Sequence, residues 1–112
     1  MGLADNPCVA CRGGTPPLTH EEIGPLQAQL DGWQVEADRK LHKAYRFKNW
    51  TQAVDFVNRI TPVAEAENHH PDLLVRWGEV RAELYTHKIN GLTVSDFYMA
   101  AKIDRVATPT PA

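Results

Sequence analysis

Apolar residues recur at helical spacing in three segments of the chain, and each segment has its own start signal. The first segment begins with a capping box, in which the side chains of Thr19 and Glu22 each accept the other's backbone N–H. An apolar stripe follows on Ile23, Leu26 and Leu30. Gly32 is a typical residue just beyond a helix end, and Pro25 should shorten or kink the helix. The pattern therefore predicts a first helix between Thr19 and Gly32.

The second helical segment is longer, and its apolar stripe contains Ala53, Val57, Ile60 and Ala64. Asn49 or Thr51 caps its start. Pro62 predicts a kink in its interior. The helix cannot run far beyond Asn68, because Pro71 keeps the residue before it out of helical geometry.

The third helical segment starts at Thr93 and has two apolar stripes instead of one. The first stripe contains Val94, Phe97 and Ala101. The second stripe contains Met99, Ile103 and Val106. Two stripes predict that this helix buries one face in its own core and offers the other to a second copy of the chain. We therefore expect a homodimer or a homotetramer.

Between the helices, apolar and polar residues alternate with period two, which is typical of half-buried strands. The alternation predicts hairpins over residues 33–48 and 73–85, with turns at Asp38-Arg39 and Gly78-Glu79. The order of elements is then α-β-β-α-β-β-α. This order predicts an α+β sandwich, in which the helices pack on one face of a four-stranded antiparallel sheet.

The composition assigns these elements to one small domain. The chain has 112 residues, with 12 basic and 14 acidic side chains and a net charge of −2. No apolar run approaches the ~20 residues of a membrane helix, and the N-terminus lacks the order of a secretion signal. We therefore expect a cytoplasmic, soluble protein. The charge balance argues against nucleic-acid binding, and the basic residues of the second strand are more typical of a solvated face.

Prolines and cysteines concentrate at the two ends of the chain. Both cysteines and three of the eight prolines lie in the first 17 residues, and two more prolines lie in the last four. All five histidines lie between these ends. We interpret residues 1–17 as an N-terminal arm, residues 18–106 as the folded domain and residues 107–112 as a flexible tail.

The two cysteines, Cys8 and Cys11, could serve a metal site or a redox site. With two histidines they offer four zinc ligands, but the neighbouring His69 and His70 point in different directions in a helix or a strand. A redox motif would need a helix after it, and the Gly- and Pro-rich residues 13–17 cannot continue one. We therefore expect reduced cysteines in a surface-lying arm, and neither a metal nor a cofactor.

Three histidines lie at the predicted ends of elements, where catalytic groups are often found. His69 and His70 lie where the second helix meets the second hairpin, and His87 follows the fourth strand. Glu65 precedes His69 by four residues, which places both on one helix face if the helix persists, and Asp96 opens the last helix. Imidazoles beside carboxylates are suited to acid–base catalysis near neutral pH.

Each of these residues also has a purely structural interpretation. A histidine at a helix end can complement the helix dipole, and Asp96 can be the capping-box partner of Thr93. Trp77 can simply be a core residue. From the residue types alone, a catalytic cluster and scattered surface histidines are about equally supported.

The spacing of these residues resembles a known signature. Glu65-x-x-x-His69-His70-Pro71, followed after five residues by Trp77, after nine by His87 and after eight by Asp96, resembles the pattern of pterin-4a-carbinolamine dehydratases. The resemblance extends over residues 8–106 and includes the arm with its two cysteines. Gly24-Pro25 and Pro62 depart from the family pattern, but they bear on helix geometry and not on the site.

The resemblance implies the α+β fold and a reaction that removes water from a 4a-hydroxytetrahydropterin without metal or cofactor. It implies a catalytic set of His69, His70 and His87, in which the first and last move protons and His70 mainly positions the pterin. It also implies that Glu65 and Asp96 orient imidazoles or bind the ring's N–H groups, and that Trp77 walls the pocket.

Relatives with this fold also have roles that do not use the pocket. Some act as a dimerisation cofactor of a homeodomain transcription factor, and others as Rubisco assembly factors, so an aromatic amino-acid hydroxylase or Rubisco could be a partner. A scaffold has no physical need for three imidazoles and two carboxylates at these spacings. The retained set therefore favours the enzyme.

Overall fold

The computed structural model describes residues 2–8 and 16–107. Their helices and strands follow the predicted order α-β-β-α-β-β-α, and a short 3-10 helix precedes both the first and the last α-helix. The α-helices are α1 (His20–Gln27), α2 (Trp50–Glu67) and α3 (Val94–Ala107). The strands are β1 (Gln34–Glu36), β2 (Lys40–Arg46), β3 (Asp72–Arg76) and β4 (Glu79–Leu84). The 3-10 helices are Leu3–Asp5 and His87–Ile89. The predicted α+β fold is confirmed.

The four strands form one antiparallel sheet in the order β1-β2-β4-β3. Leu41 on β2 lies opposite Leu84 on β4, and both are buried beneath the helices. The opposite face is charged and has cross-strand ion pairs, such as Arg46 with Glu79 at 3.1 Å. One face of the sheet therefore forms the core, and the other meets solvent. No helix in residues 2–8 and 16–107 has the length and apolar character needed to cross a membrane.

Helix α1 begins as predicted and ends earlier than predicted. Thr19 N–H donates to Glu22 Oε1 at 2.9 Å, and Glu22 N–H donates to Thr19 Oγ1 at 3.3 Å. The helix ends at Gln27, so the prediction that Gly32 stops it is wrong. Pro25 lies in this last turn, where its missing N–H weakens the helix, and the chain continues in turns to Gly32. At Gly32 the backbone has a φ of +78°, which suits a turn into β1.

The end of helix α2 sets the position of the histidine pair. Asn49 caps the start by accepting the Gln52 N–H at 2.9 Å, and the helix continues through Pro62 to Glu67. Asn68 then adopts the left-handed conformation, with φ 51° and ψ 41°, which ends the helix. The chain therefore changes direction immediately before His69.

Helix α3 is covered by its own chain, contrary to expectation. Met99 and Ile103, from the second predicted stripe, are fully buried because α2, the sheet and the segment Leu3–Asp5 all pack on this helix. That stripe does not offer a face to a second chain. The homodimer or homotetramer stays a prediction, and the second apolar stripe of α3 no longer supports it. Leu3 belongs to the core, so the described part of the N-terminal arm is anchored to the domain.

The turn between β3 and β4 lies one residue earlier than predicted. Arg76 pairs with Glu79, so the two turn residues are Trp77 and Gly78. Gly78 has a φ of +73°, and a Cβ there would lie 3.0 Å from the Phe47 carbonyl oxygen. Trp77 at the tip is 71% exposed, so its interpretation as a core residue is wrong.

A carboxylate near the end of α3 fastens this helix to the sheet. Asp104 accepts hydrogen bonds from Trp33 Nε1 at 3.0 Å, Lys43 Nζ at 2.8 Å and Tyr45 Oη at 2.5 Å. Burial and this neighbouring carboxylate raise the pKa of Tyr45 far above its usual value, so the hydroxyl stays a donor. The three donors hold the helix that carries Asp96 in register with β2.

Asp104→Ala is therefore expected to lower the free energy of unfolding by about 2 kcal/mol, because it leaves Trp33 Nε1 and Tyr45 Oη without this acceptor and removes one of the two acceptors of Lys43. Urea denaturation followed by circular dichroism measures this change. Asp55→Ala, at an exposed position on α2, is the matched control and should stay within about 0.5 kcal/mol of the wild type. Equal stability of the two variants would contradict the prediction.

Candidate active site

An open cavity of about 370 Å³ lies where the end of α2, the end of β4 and the His87–Ile89 turn meet. Its lining brings together the three predicted histidines with five other residues: Asn68, His69, His70, Asp72, Tyr85, Thr86, His87 and Lys88. A volume of this size is within the range of small-molecule sites in proteins. The cavity is therefore the candidate active site.

His69 is the most constrained of the three imidazoles. Its Nε2 lies 2.7 Å from Asp96 Oδ1, and the side chain of His69 is 16% exposed while that of Asp96 is fully buried. In the neutral imidazole this contact assigns the proton to Nε2, which leaves the lone pair on Nδ1.

Asp96 is itself held on its second oxygen. Thr86 Oγ1 and the Thr93 backbone N–H both donate to Oδ2 at 2.9 Å. The capping interpretation of Asp96 is therefore correct in part, since it accepts the N–H of the residue that precedes α3. The Thr93 hydroxyl lies 3.2 Å from Thr86 Oγ1. One carboxylate thus supports both the helix start and His69.

Glu65 pairs with His70 and not with His69. Its Oε2 lies 2.5 Å from His70 Nε2, and the two side chains are 69% and 53% exposed. The condition under which Glu65 and His69 would share a helix face is not met, because α2 ends before His69 and the left-handed Asn68 turns the chain. An exposed pair of this kind constrains an imidazole only weakly.

His87 lies at the mouth of the cavity, and its side chain is 61% exposed. Its ring stacks on Tyr85 with a centroid distance of 4.0 Å and an interplanar angle of 30°. Its Nε2 lies 4.0 Å from Asp72 Oδ2, at the limit of an ion pair. The stacking orients the ring, while its edge stays open to solvent.

Five residues of this cavity lining were missed by the sequence analysis: Asn68, Asp72, Tyr85, Thr86 and Lys88. All five lie within two positions of a predicted histidine, so their proximity in sequence could have identified them. The contact between Thr86 and Asp96 joins residues ten positions apart and had no local signal.

Trp77 is not brought to the cavity. It lies beyond the far end of β3 from Asp72, and five residues of extended strand span roughly 16 Å. The expectation that Trp77 walls the pocket is therefore not supported by its position.

Cys8 does not line the cavity. Its thiol donates to the Ser95 carbonyl at 3.5 Å, and burial raises its pKa to about 11. Cys11 lies outside the described residues. Among residues 2–8 and 16–107, no three His, Cys, Asp or Glu side chains are grouped so that they could hold a metal ion.

The fold and the site define a small α+β protein whose imidazoles and carboxylates suit acid–base chemistry on a molecule bound in an open cavity. The model of the pterin 4 alpha carbinolamine dehydratase family matches residues 16–106. The chain belongs to this family. A protein of Rubrobacter xylanophilus, provisionally named a pterin-4-alpha-carbinolamine dehydratase, is 50% identical over 104 residues, which are 93% of this chain and 97% of that protein. A provisionally named dehydratase of Rickettsia canadensis is 48% identical over 91% of this chain and 94% of its own length.

Two solved structures share the fold. The crystal structure of a transcriptional coactivator/pterin dehydratase from Brucella melitensis matches with a TM-score of 0.77 and 32% identity, over 82% of this chain and 99% of that one. A pterin dehydratase-like protein described as a RuBisCO assembly factor in the alpha-carboxysome matches with a TM-score of 0.61 and 18% identity, over 71% and 94% of the two chains. The second likeness shows the fold alone.

Proposed function

We propose that this protein removes water from a 4a-hydroxytetrahydropterin by histidine acid–base catalysis. The observation that carries the proposal is His69, whose Nε2 contacts a fully buried carboxylate that is itself held by two donors. Such an imidazole has a defined tautomer with a lone pair on Nδ1, which is what a general base requires. Membership of the dehydratase family supports the choice of a pterin as substrate.

The reaction needs two proton movements and no redox change. The N5–H and C4a–O bonds break, a C4a–N5 double bond and a water O–H bond form, and the products are quinonoid dihydropterin and water. In this proposal His69 Nδ1 accepts the N5 proton, and the Asp96 carboxylate stabilises the imidazolium. Protonated His87 donates to the departing hydroxyl, and solvent restores both imidazoles because the cavity is open.

The remaining polar groups position the ring. His70 lies beside His69 in the cavity lining and pairs only loosely with Glu65, so it can hydrogen-bond the pterin without being required for proton transfer. The stacked pair of Tyr85 and His87 presents a flat surface at the cavity mouth, which suits a planar heterocycle.

A non-catalytic scaffold is the alternative, and it uses surfaces instead of the cavity. The buried Asp96 with contacts on both oxygens has no purpose in a scaffold beyond capping α3, and capping alone does not require an imidazole on Oδ1. The site therefore favours the enzyme.

Stopped-flow measurement of 4a-hydroxytetrahydropterin dehydration tests the proposal. The rate should rise in proportion to protein concentration above the uncatalysed rate. His20→Ala is the matched control, because His20 is an exposed histidine on α1 that pairs with Asp38 and does not line the cavity. It should keep the wild-type rate. An unchanged rate at protein concentrations equal to the substrate would refute the proposal.

A further inference from the structure

Residues 2–8 form a segment that is fastened along α3. Leu3 and Ala4 are buried, and the Ala4 carbonyl accepts from Lys102 Nζ at 2.7 Å. Asp5 accepts from Arg105 Nη2 at 2.8 Å near the C-terminal end of the helix. Contacts with α3 therefore fix the position of this segment at Ala4 and Asp5.

The last described residue of this segment, Cys8, contacts one residue close in sequence to His69 and one close in sequence to Asp96. Its backbone N–H donates to Glu67 Oε1 at 2.8 Å, and its thiol donates to the Ser95 carbonyl at 3.5 Å. Glu67 is the last residue of α2 and lies two positions before His69, while Ser95 directly precedes Asp96. One residue thus bridges the end of α2 and the start of α3 behind the site.

The protonation states of these groups keep the bridge intact at neutral pH. The Cys8 N–H and the nearby Lys102 hold the pKa of Glu67 below its usual value, so its carboxylate stays charged. Lys102 Nζ lies 3.6 Å from Glu67 Oε2, and both side chains are mostly buried. Burial raises the pKa of Cys8 to about 11, so its thiol stays a donor.

We infer that Glu67 is a positioning residue, which ties residues 2–8 across the back of the site and thereby holds His69 at its contact distance from Asp96. His69 follows the left-handed Asn68, and its backbone N–H donates to the Ala64 carbonyl at 3.2 Å. Its position therefore follows that of the last turn of α2, to which Glu67 belongs. The Asp96 partner belongs to a different helix. Without the Glu67–Cys8 contact, the two chain segments can shift relative to each other, and a displacement of about 1 Å can cost up to 10²-fold in rate.

This inference rests on the proposed function, and its test combines kinetics with a readout that needs no activity. Glu67→Ala should lower kcat about 10-fold with KM within about 2-fold. Glu67→Gln keeps an oxygen that accepts the Cys8 N–H and should restore kcat to within about 3-fold of the wild type. Asp5→Asn weakens the contact with Arg105 far from the site, and it should keep wild-type kcat.

Nuclear magnetic resonance gives the second readout, the rate at which the His69 Nε2–H proton exchanges with solvent. This rate should rise about 10-fold in Glu67→Ala and stay unchanged in Glu67→Gln and Asp5→Asn. In the wild type, the Cys8 amide proton should exchange as slowly as the amides of the last turn of α2. That measurement requires no variant to fold.

Three results would overturn the inference. One is a Glu67→Ala protein with wild-type kcat and wild-type imidazole proton exchange. Another is an equal loss of kcat in Glu67→Ala and Asp5→Asn, which would indicate general destabilisation. The third is a Cys8 amide that exchanges at the rate of an unstructured peptide. An inactive wild-type protein would refute the proposed function, and the exchange rates would then decide the positioning role alone.

Discussion

Asp96→Asn is expected to lower kcat for dehydration by about 10²-fold or more, although the substitution hardly changes the size of the side chain. Thr86 Oγ1 and the Thr93 N–H both donate to one oxygen of Asp96. In the asparagine variant the amide oxygen must face these donors, so its NH₂ group faces His69. The imidazole must then accept at Nε2 and carry its proton on Nδ1, which is the wrong tautomer for a base on the cavity side.

Stopped-flow kinetics measure the loss, and thermal unfolding separates it from instability. His69→Ala should show a loss of kcat of at least the same size, because it removes the base itself. Thr86→Val removes only one of the two donors to Asp96 Oδ2 and should cost about 10-fold. An Asp96→Asn protein that keeps more than a third of wild-type kcat would contradict the role given to the buried carboxylate.

His87→Ala is the second substitution with a large expected effect, and we expect kcat to fall about 10²-fold. In the proposed reaction His87 supplies the proton to the departing hydroxyl. Its side chain is 61% exposed at the cavity mouth, so free imidazole can enter the space that the substitution leaves. Added imidazole should therefore restore part of the activity of His87→Ala in a concentration-dependent manner.

Two other histidine variants serve as comparisons for this rescue. His69→Ala should gain little from imidazole, because the ring lies deeper, with 16% exposure, and depends on the Asp96 contact. His70→Ala should mainly raise KM, by about 10-fold, since its proposed role is to position the ring. Wild-type kcat in His87→Ala, or equal rescue of His69→Ala, would contradict the division of roles among the three imidazoles.

The two carboxylates of the motif, Asp96 and Glu65, have different environments. We therefore expect substitutions of the two residues to have effects of different size on kcat. Asp96 is fully buried and bonded on both oxygens, whereas Glu65 is 69% exposed and pairs with an exposed imidazole. Water and salt screen the exposed pair, so its loss should matter less to catalysis than the loss of Asp96. The motif spacing treats the two residues alike, and only burial distinguishes them.

The amino-acid sequence by itself determined the order of helices and strands and the four-stranded antiparallel sheet. The choice of His69, His70 and His87 rests instead on the resemblance of their spacing to the dehydratase signature, and it stays a prediction. The order of elements follows from local signals, namely periodicity and the capping box at Thr19 and Glu22. Local signals were sufficient because each one acts within a few residues along the chain. The predicted helix end at Gly32 was wrong because Pro25 and Gly32 both favour a helix end, and they lie in the same segment.

Only the tertiary structure decided which groups touch. It paired Glu65 with His70 and Asp96 with His69, because the left-handed Asn68 redirects the chain after α2. It placed Trp77 at an exposed turn and buried Met99 inside its own chain, because packing partners for α3 come from elements far away in sequence. Such contacts depend on how segments that are distant in sequence pack together, and the periodicity of apolar residues does not specify that packing.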